Sequence, residues 1–254
     1  MSKKIWEQCK GTDHLMSLST NAWRVVEGQH IISTRKLVDS VEEQIILEEI
    51  IEENKPPLKE NSDGLHYLLT TAFRYPPLKN GSRFGTKFDP SLWYGSMELN
   101  TALAETAYYR FNFIRASKAE FGNVITDHTA FSVKIKTARG IDLTQLPFSK
   151  FTSIISSPIS YDESQSLGND MRKNNIEAFY YQSARDPNNE LNIALFTPKA
   201  FPHKKPDNKS YQSWQCIVNK NIADFIRSSY ETDETRSFNI ELFMVDSELP
   251  FPAN

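Results

Sequence analysis

The strongest constraint on the fold is a change in hydrophobic periodicity along the chain. From Leu37 to Ile51 apolar residues recur at helical spacing. From Phe131 to Ile135 they instead alternate with polar residues, which is the pattern of a half-buried strand. Helices that come early and strands that cluster late favour an α+β fold over a regularly alternating α/β fold.

Residues 1–62 are predicted to form a mostly helical N-terminal region. Ser40 and Glu43 have the spacing of a capping box. The glutamates after them form an acidic face, for which a solvated surface and a partner-binding surface are the alternatives. Asn54-Lys55-Pro56-Pro57 ends the helix, because proline lacks the donor and clashes with the preceding turn. We predict this helical region as one unit and residues 63–254 as a second domain.

Further elements are predicted on both sides of the alternating segment. Good helix formers open the stretch from Glu98 to Arg115, and neither glycine nor proline interrupts it, so it is predicted to be a helix. A second helix is predicted from Tyr161 to Asn174, with Gly168 as an unfavourable residue inside it. Additional strands are predicted at Ile176–Gln182, Asn192–Phe196, Trp214–Val218 and Phe238–Val245.

Length and composition fit a globular protein with its own core. The chain has 254 residues, of which 39% are hydrophobic and 24% charged. No apolar run approaches the roughly 18 residues that span a bilayer, and the N-terminus lacks the apolar segment of a signal peptide. We therefore expect a cytoplasmic protein with no membrane partner. A net charge of -3 argues against direct binding of nucleic acid.

Residues suited to chemistry cluster between Phe73 and Arg110. Arg83, Tyr94 and Glu105 follow one another at intervals of eleven residues, and Arg83 lies between two glycines. An arginine guanidinium grips phosphate oxygens with two donors, so Arg74 and Arg83 can hold a diphosphate. The alternative for each arginine is a surface salt bridge.

The remaining candidates suit a bond that breaks through a cation. A carboxylate such as Glu105 stabilises an oxocarbenium-like transition state, although the motif lacks the second carboxylate of a glycosidase pair. Tyr75 and Tyr94 can stack on a planar ring or lend a hydroxyl. Ser183 lies where a predicted strand gives way to a loop, a frequent place for catalytic groups. The alternatives are an exposed helix glutamate, core tyrosines and an ordinary loop serine.

Other chemistries fit the sequence poorly. The chain has no GxxxxGK[ST], GxGxxG, HExxH or GxSxG motif. Its five histidines are scattered, and Cys9 and Cys216 have no ligand-type neighbours in sequence. We therefore expect neither a metal, nor another cofactor, nor a disulfide framework.

Taken together, these residues resemble the RES-domain family, which is named for its Arg, Glu and Ser. The resemblance covers about residues 65–220. Members of that family are NAD-degrading toxins of bacterial toxin–antitoxin pairs, and their fold is similar to that of ADP-ribosyltransferases. The resemblance implies an ADP-ribosyltransferase-like mixed sheet core with a helical N-terminal extension. It rests on Arg74-Tyr75, Gly81-Ser82-Arg83-Phe84-Gly85, Leu92-Trp93-Tyr94-Gly95, Ala102-Leu103-Ala104-Glu105 and Ser183-Ala184-Arg185.

The resemblance also implies roles for individual residues. NAD is the expected substrate, with water or inorganic phosphate as acceptor, and a cognate antitoxin of the Xre type is the expected protein partner. The expected catalytic residues are Arg83, which binds phosphate, Glu105, which supports formation of a ribosyl cation, and Ser183, which orients Glu105 or the ribose. The expected substrate-binding residues are Arg74 at the phosphates, with Tyr75 and Tyr94 at the nicotinamide end.

The chain departs from the family pattern at one motif. Gly81-Ser82-Arg83-Phe84-Gly85 stands where the family has Gly-Gly-Arg-Trp-Asn, so no contact of that asparagine is carried over. The N-terminal region exceeds a minimal domain, and antitoxin binding and core completion are the alternatives for it. Three functions stay open: an NAD-degrading enzyme, an ADP-ribosyltransferase that modifies a macromolecule, and a non-enzymatic nucleotide-binding or partner-binding module.

Overall fold

An eight-stranded mixed sheet forms the centre of the structure, a computed structural model that describes residues 4–28, 37–77, 79–117, 122–228 and 233–251. In the sheet the strands follow the order β1-β2-β5-β4-β3-β6-β7-β8. The strands are β1 (Met16–Glu27), β2 (Trp93–Ser96), β3 (Val124–Asp142), β4 (Ala178–Gln182), β5 (Leu191–Leu195), β6 (Gln212–Val218), β7 (Ile222–Ser228) and β8 (Asp233–Asn239).

Six α-helices accompany the sheet in the described part of the chain. Together with the mixed sheet they confirm the predicted α+β class. None of these helices is both long and apolar enough to cross a membrane. The helices are α1 (Ile5–Gln8), α2 (Val41–Asn54), α3 (Tyr67–Arg74), α4 (Leu99–Ala116), α5 (Thr152–Ile155) and α6 (Asp162–Lys173).

β1 closes one part of the sheet into a ring. It runs antiparallel to β3 from Met16 to Glu27 and meets β2 at the pair Trp23–Ser96. The strands β1, β2, β5, β4 and β3 therefore form a closed set, from which β6, β7 and β8 continue as an open sheet. The 19-residue β3 joins the two parts, because its N-terminal half also pairs with β6 and its C-terminal end with β4.

The prediction of a mostly helical N-terminal region is wrong for residues 16–27. These residues form β1, in which Leu18 and Ala22 are buried. The reason is tertiary, because the hydrogen bonds that make β1 a strand come from β3, more than 100 residues later in the chain. β1 thus shares one sheet with residues of the predicted second domain.

α2 confirms the helix predicted within this region, although most of the apolar residues that predicted it are exposed. Ser40 caps it as predicted, since its Oγ accepts a hydrogen bond from the Glu43 N–H at 3.1 Å. The partly buried residues include Leu47 and Ile51. Among the apolar residues whose helical spacing predicted this helix, Ile46 is 56% exposed, Leu37, Val41 and Ile45 are also exposed, and Val38 is partly buried.

The strands predicted in the second half of the chain are confirmed for β3 to β6, within two residues for β4, β5 and β6. The strand predicted over Phe238–Val245 is wrong beyond Asn239. There the Asn239 side chain accepts a hydrogen bond from the Glu241 N–H and begins a 3-10 turn, Ile240–Phe243. The turn buries Ile240 and Phe243 in the core. Apolar residues whose pattern resembled a strand therefore belong to a 3-10 turn, which is wound more tightly.

α4 and α6 confirm the two helices predicted in the middle of the chain. One side of α4 packs Leu103, Ala107 and Phe111 into a core with residues of β6 and β7. A helix that buries one side in this way presents its other side elsewhere. In α4 that other side faces a cavity.

Candidate active site

A cavity of about 350 Å³ lies between α4 and the sheet. α4 contributes Ala102, Glu105, Thr106, Tyr109 and Arg110, which recur at the spacing of one helix face. The strands β1 to β5, the turn before β2 and the residue before α6 supply the rest of the lining. The cavity therefore draws together segments from most of the chain.

Glu105 is held by two donors that reach the same carboxylate oxygen. The Ser183 Oγ donates to Oε1 at 2.7 Å, and the Asn192 Nδ2 donates to Oε1 at 2.6 Å. The described residues direct no hydrogen bond to Oε2. The carboxylate is thus fixed in orientation while one oxygen stays available to a molecule in the cavity.

The two donors are themselves oriented by their neighbours. The Ser183 Oγ accepts hydrogen bonds from the N–H groups of Arg185 and Asp186, each at 3.1 Å, which leaves its own hydrogen for Glu105. The Asn192 Oδ1 accepts from the Ser96 Oγ at 2.7 Å, which directs the amide nitrogen toward Glu105. The structure therefore places the predicted Ser183 beside Glu105 and adds Asn192, which sequence analysis missed.

Arg83 lines the cavity from a tight turn. Gly81 has φ +70°, a conformation that glycine adopts readily and that the turn requires. A Cβ at Gly168 of α6 would collide with the Phe84 carbonyl oxygen, so this glycine allows the turn to lie against α6. The Arg83 Nη1 donates to the carbonyl oxygens of Ser157 at 2.7 Å and Ile155 at 3.3 Å. The guanidinium also stacks 4.7 Å from the centre of the ring of Tyr161.

Tyr94 lines the same cavity and supports the turn. Its Oη shares a 2.9 Å hydrogen bond with the Ser82 Oγ and accepts one from the Phe84 N–H at 3.2 Å. Burial raises the pKa of Tyr94 to about 12, so the phenol is neutral at physiological pH. The Tyr94 hydroxyl is thus engaged with the turn that carries Arg83.

Arg74 and Tyr75 do not lie at the cavity, which corrects the expectation that they join the substrate site. The Arg74 Nη1 binds the Glu52 carboxylate at 2.7 Å, and its Nε donates to the Pro56 carbonyl oxygen. Tyr75 is 42% exposed, and its carbonyl oxygen accepts from the Ser91 Oγ. The Arg74 contacts hold the end of α3 against α2 and the residues after it, and neither residue is among those that line the cavity.

A different arginine, Arg24 of β1, lines the cavity. Its Nη1 donates to the Tyr94 carbonyl oxygen at 2.6 Å, and its guanidinium lies 5.3 Å from the centre of the Trp93 ring. Its buried Nε has no partner among the described residues, and burial lowers the pKa of Arg24 to about 10. The available signal was an arginine inside the apolar stretch Trp23-Arg24-Val25-Val26, which the helical interpretation of this region obscured.

The cavity lining also contains a buried histidine and an ion pair. The His128 Nε2 lies 3.0 Å from the Thr126 Oγ1, and burial, reinforced by the charge of Arg110, lowers the pKa of His128 to about 4. Arg110 binds the Glu27 carboxylate at 3.1 Å. The described residues hold no group of three or more histidine, cysteine or acidic side chains arranged for a metal.

The arrangement suits an anionic ligand with a cation-forming centre. Arg24 and Arg83 supply fixed positive charge, and the Glu105 carboxylate supplies a fixed negative one in the same cavity. Such charges need no reorganisation as a reaction proceeds.

Comparison with protein-family models identifies the RES domain over residues 59–219. This span contains Arg83, Glu105, Ser183 and Asn192, whereas Arg24 and β1 precede it. A search of curated proteins found no match.

Proposed function

Because the chain belongs to the RES-domain family, we propose that it cleaves the nicotinamide–ribose bond of NAD, with inorganic phosphate or water as acceptor. The observation that carries this proposal is the Glu105 carboxylate, fixed through Oε1 by Ser183 and Asn192 in a cavity that also contains two arginines. An NAD molecule offers the matching charges, a diphosphate and a positively charged nicotinamide ring.

In the proposed reaction the bond between ribose C1′ and the nicotinamide nitrogen breaks. Its electron pair goes to the nitrogen, which loses its positive charge, and positive charge develops on the ribose. The Glu105 carboxylate stabilises that charge. The acceptor oxygen then bonds to C1′, and a water acceptor releases one proton. No metal takes part in this scheme.

Arg83 and Arg24 have the complementary task of holding the diphosphate. In each arginine the Nη1 already donates a hydrogen bond to a backbone carbonyl oxygen, which restricts the orientation of the guanidinium. A guanidinium fixed in this way presents its remaining donors to phosphate oxygens without further ordering. Holding the diphosphate would keep the ribose beside Glu105.

We further propose that the protein is the toxin of a toxin–antitoxin pair, because the RES family is associated with antitoxin partners. A cognate antitoxin of the Xre type would then restrain it by blocking the cavity. Expression of the chain alone is expected to halt growth and lower cellular NAD. Normal growth and normal NAD during expression of folded protein would argue against the toxin role.

The test of the chemistry is nicotinamide release from NAD by the purified protein, with and without inorganic phosphate. Mass analysis of the second product separates ADP-ribose from its phosphorylated form. Release that needs phosphate would identify phosphorolysis, and release without phosphate would identify hydrolysis. Glu105→Ala is the control and should abolish release in both conditions.

Two other outcomes would replace the proposal. Label from NAD that accumulates on a protein or nucleic acid, with no free turnover, would identify an ADP-ribosyltransferase. Binding of NAD without either reaction would identify a nucleotide-binding module, in which Glu105→Ala would be tolerated.

A further inference from the structure

Arg185 is a buried arginine that does not line the cavity. Arg185 is 3% exposed, and its guanidinium carbon lies 3.6 Å from the centre of the Tyr108 ring. Its Nη2 donates to the Pro158 carbonyl oxygen at 2.9 Å, and its Nη1 is buried without a partner among the described residues. Burial of such a charge is unfavourable, so the position calls for an explanation.

The first part of the explanation is the segment that Arg185 binds. Residues 155–158 offer carbonyl oxygens to two arginines, Ile155 and Ser157 to Arg83 and Pro158 to Arg185. The carbonyl groups that orient Arg83 are therefore next to the carbonyl group that Arg185 holds. Movement of this segment would change the direction of the Arg83 guanidinium.

The second part is the attachment of Arg185 to the Glu105 side of the site. Its ring partner Tyr108 lies on α4, three residues after Glu105. Its backbone N–H donates to the Ser183 Oγ at 3.1 Å, and that oxygen is the one bonded to Glu105. Arg185 thus contacts both the helix and the serine that hold Glu105.

We propose that Arg185 is a positioning residue that couples Arg83 to Glu105 through the segment 155–158. This inference rests on the proposed function, in which Arg83 holds the substrate diphosphate. Without the Arg185 side chain, Glu105 keeps its bonds to Ser183 and Asn192. The segment that orients Arg83 loses its bond at Pro158 and keeps the bond from the Ser156 Oγ to the Gln182 carbonyl oxygen. The consequence is a diphosphate held at the wrong distance from the carboxylate.

The test is a double-mutant cycle between Arg185→Met and Arg83→Ala. Two quantities are measured, kcat/KM for nicotinamide release and the Kd for ADP-ribose by calorimetry. A misplacement of the reacting groups of about 1 Å can cost 100-fold, so we expect Arg185→Met to lower kcat/KM by about tenfold to 100-fold. It should also weaken ADP-ribose binding. In the Arg83→Ala background the same substitution should have little further effect, because the side chain through which Arg185 acts is absent.

Arg139→Met, at an exposed arginine, is the control. Arg139 also binds backbone carbonyl oxygens, those of Asn174 and Asn175, but it does not line the cavity or contact the segment 155–158. Its loss should leave both quantities unchanged. Arg185→Lys keeps the charge without the planar fork, and it serves if Arg185→Met does not fold. Circular dichroism and thermal unfolding establish that each variant is folded.

The outcomes separate this inference from the proposed function. Equal losses from the Arg185 substitution in both backgrounds, or no loss in folded protein, would overturn the positioning role. If the wild-type chain binds ADP-ribose but does not release nicotinamide, the proposed reaction fails while the binding cycle still tests Arg185. If it does neither, the inference fails as well, since Arg83 then has no diphosphate to hold.

Discussion

Glu105 accepts both of its hydrogen bonds on one carboxylate oxygen, Oε1. This asymmetry leaves Oε2 available to a molecule in the cavity. Ser183 and Asn192 approach Oε1 with donors whose directions their own neighbours fix. An exposed helix glutamate, the alternative considered from sequence, would have no such pair of buried donors. The local environment of Glu105 therefore supports a task at the cavity.

Glu105→Gln is predicted to remove most of the nicotinamide release. The amide keeps the size of the side chain but lacks the negative charge that, in the proposed reaction, stabilises the ribosyl cation. We expect a decrease of about 100-fold or more in kcat, in the range found when a fixed electrostatic group is removed. Glu53→Gln, on the exposed side of α2, is the control. A Glu105→Gln rate within threefold of the wild type would contradict the assignment.

The two candidate arginines are predicted to behave oppositely. Arg24→Ala should lower kcat/KM for NAD by about tenfold or more, because a charge-assisted hydrogen bond to phosphate is worth roughly 1.5–3 kcal/mol. Arg74→Ala should leave kcat/KM unchanged, since Arg74 binds Glu52 and Pro56 outside the cavity. Steady-state kinetics of the two variants check this. Loss of activity in Arg74→Ala alone would restore the original sequence-based assignment.

At the scale of elements, two helices with apolar residues use them differently. α4 buries Leu103 completely in a core with β6 and β7. α2 leaves Ile46 and Ile50 at least half exposed, and its glutamates are spread around the same helix. Helical spacing predicted α2 and helix-forming residues predicted α4, but neither signal indicated how much of each helix would be covered.

Alanine substitutions in the two helices are predicted to separate them. Leu103→Ala should lower the free energy of unfolding by about 2–5 kcal/mol, as for other buried leucines. Ile46→Ala should change it by no more than about 0.5 kcal/mol, the usual range for surface sites. Urea unfolding curves measure both. A large loss for Ile46→Ala would show that this side chain is covered in solution.

At the scale of the whole molecule, one buried side chain links pH to folding. His128 titrates near its ordinary pKa of 6.5 in the unfolded chain, while burial lowers its pKa to about 4 in the folded protein. The unfolded state therefore binds the proton more readily. The contribution of His128 is fully present above pH 6.5 and is lost as the pH falls toward 4.

We predict that the wild type loses about 2.5 kcal/mol of unfolding free energy through His128 between pH 7 and pH 4.5. The measurement is urea unfolding at both pH values for the wild type and for His128→Gln. The variant should show a smaller decrease, because other titrating groups affect both proteins alike. Equal decreases would mean that His128 is not held neutral by the fold.

Much of the secondary structure and part of the candidate site could be predicted from the sequence alone, because the patterns that indicate them are local. Helical spacing predicted α2, helix-forming residues predicted α4, and alternation predicted the middle of β3; a helix was also predicted where α6 lies. The site motif likewise identified Arg83, Tyr94 and Glu105. These three residues lie within one short stretch of the chain, so their regular spacing is visible in the sequence. The cavity contains all three.

The rest depended on contacts between distant segments. β1 is a strand because β3 pairs with it, and Arg24 and Asn192 reach the site only after β1 and β5 join the sheet. Arg74 has the same local chemistry as Arg83, but its pairing with Glu52 removes it from the cavity. Local propensity determines most of the helices and strands, whereas long-range pairing and burial determine which side chains come together. The candidate site consists of side chains that only these long-range contacts bring together.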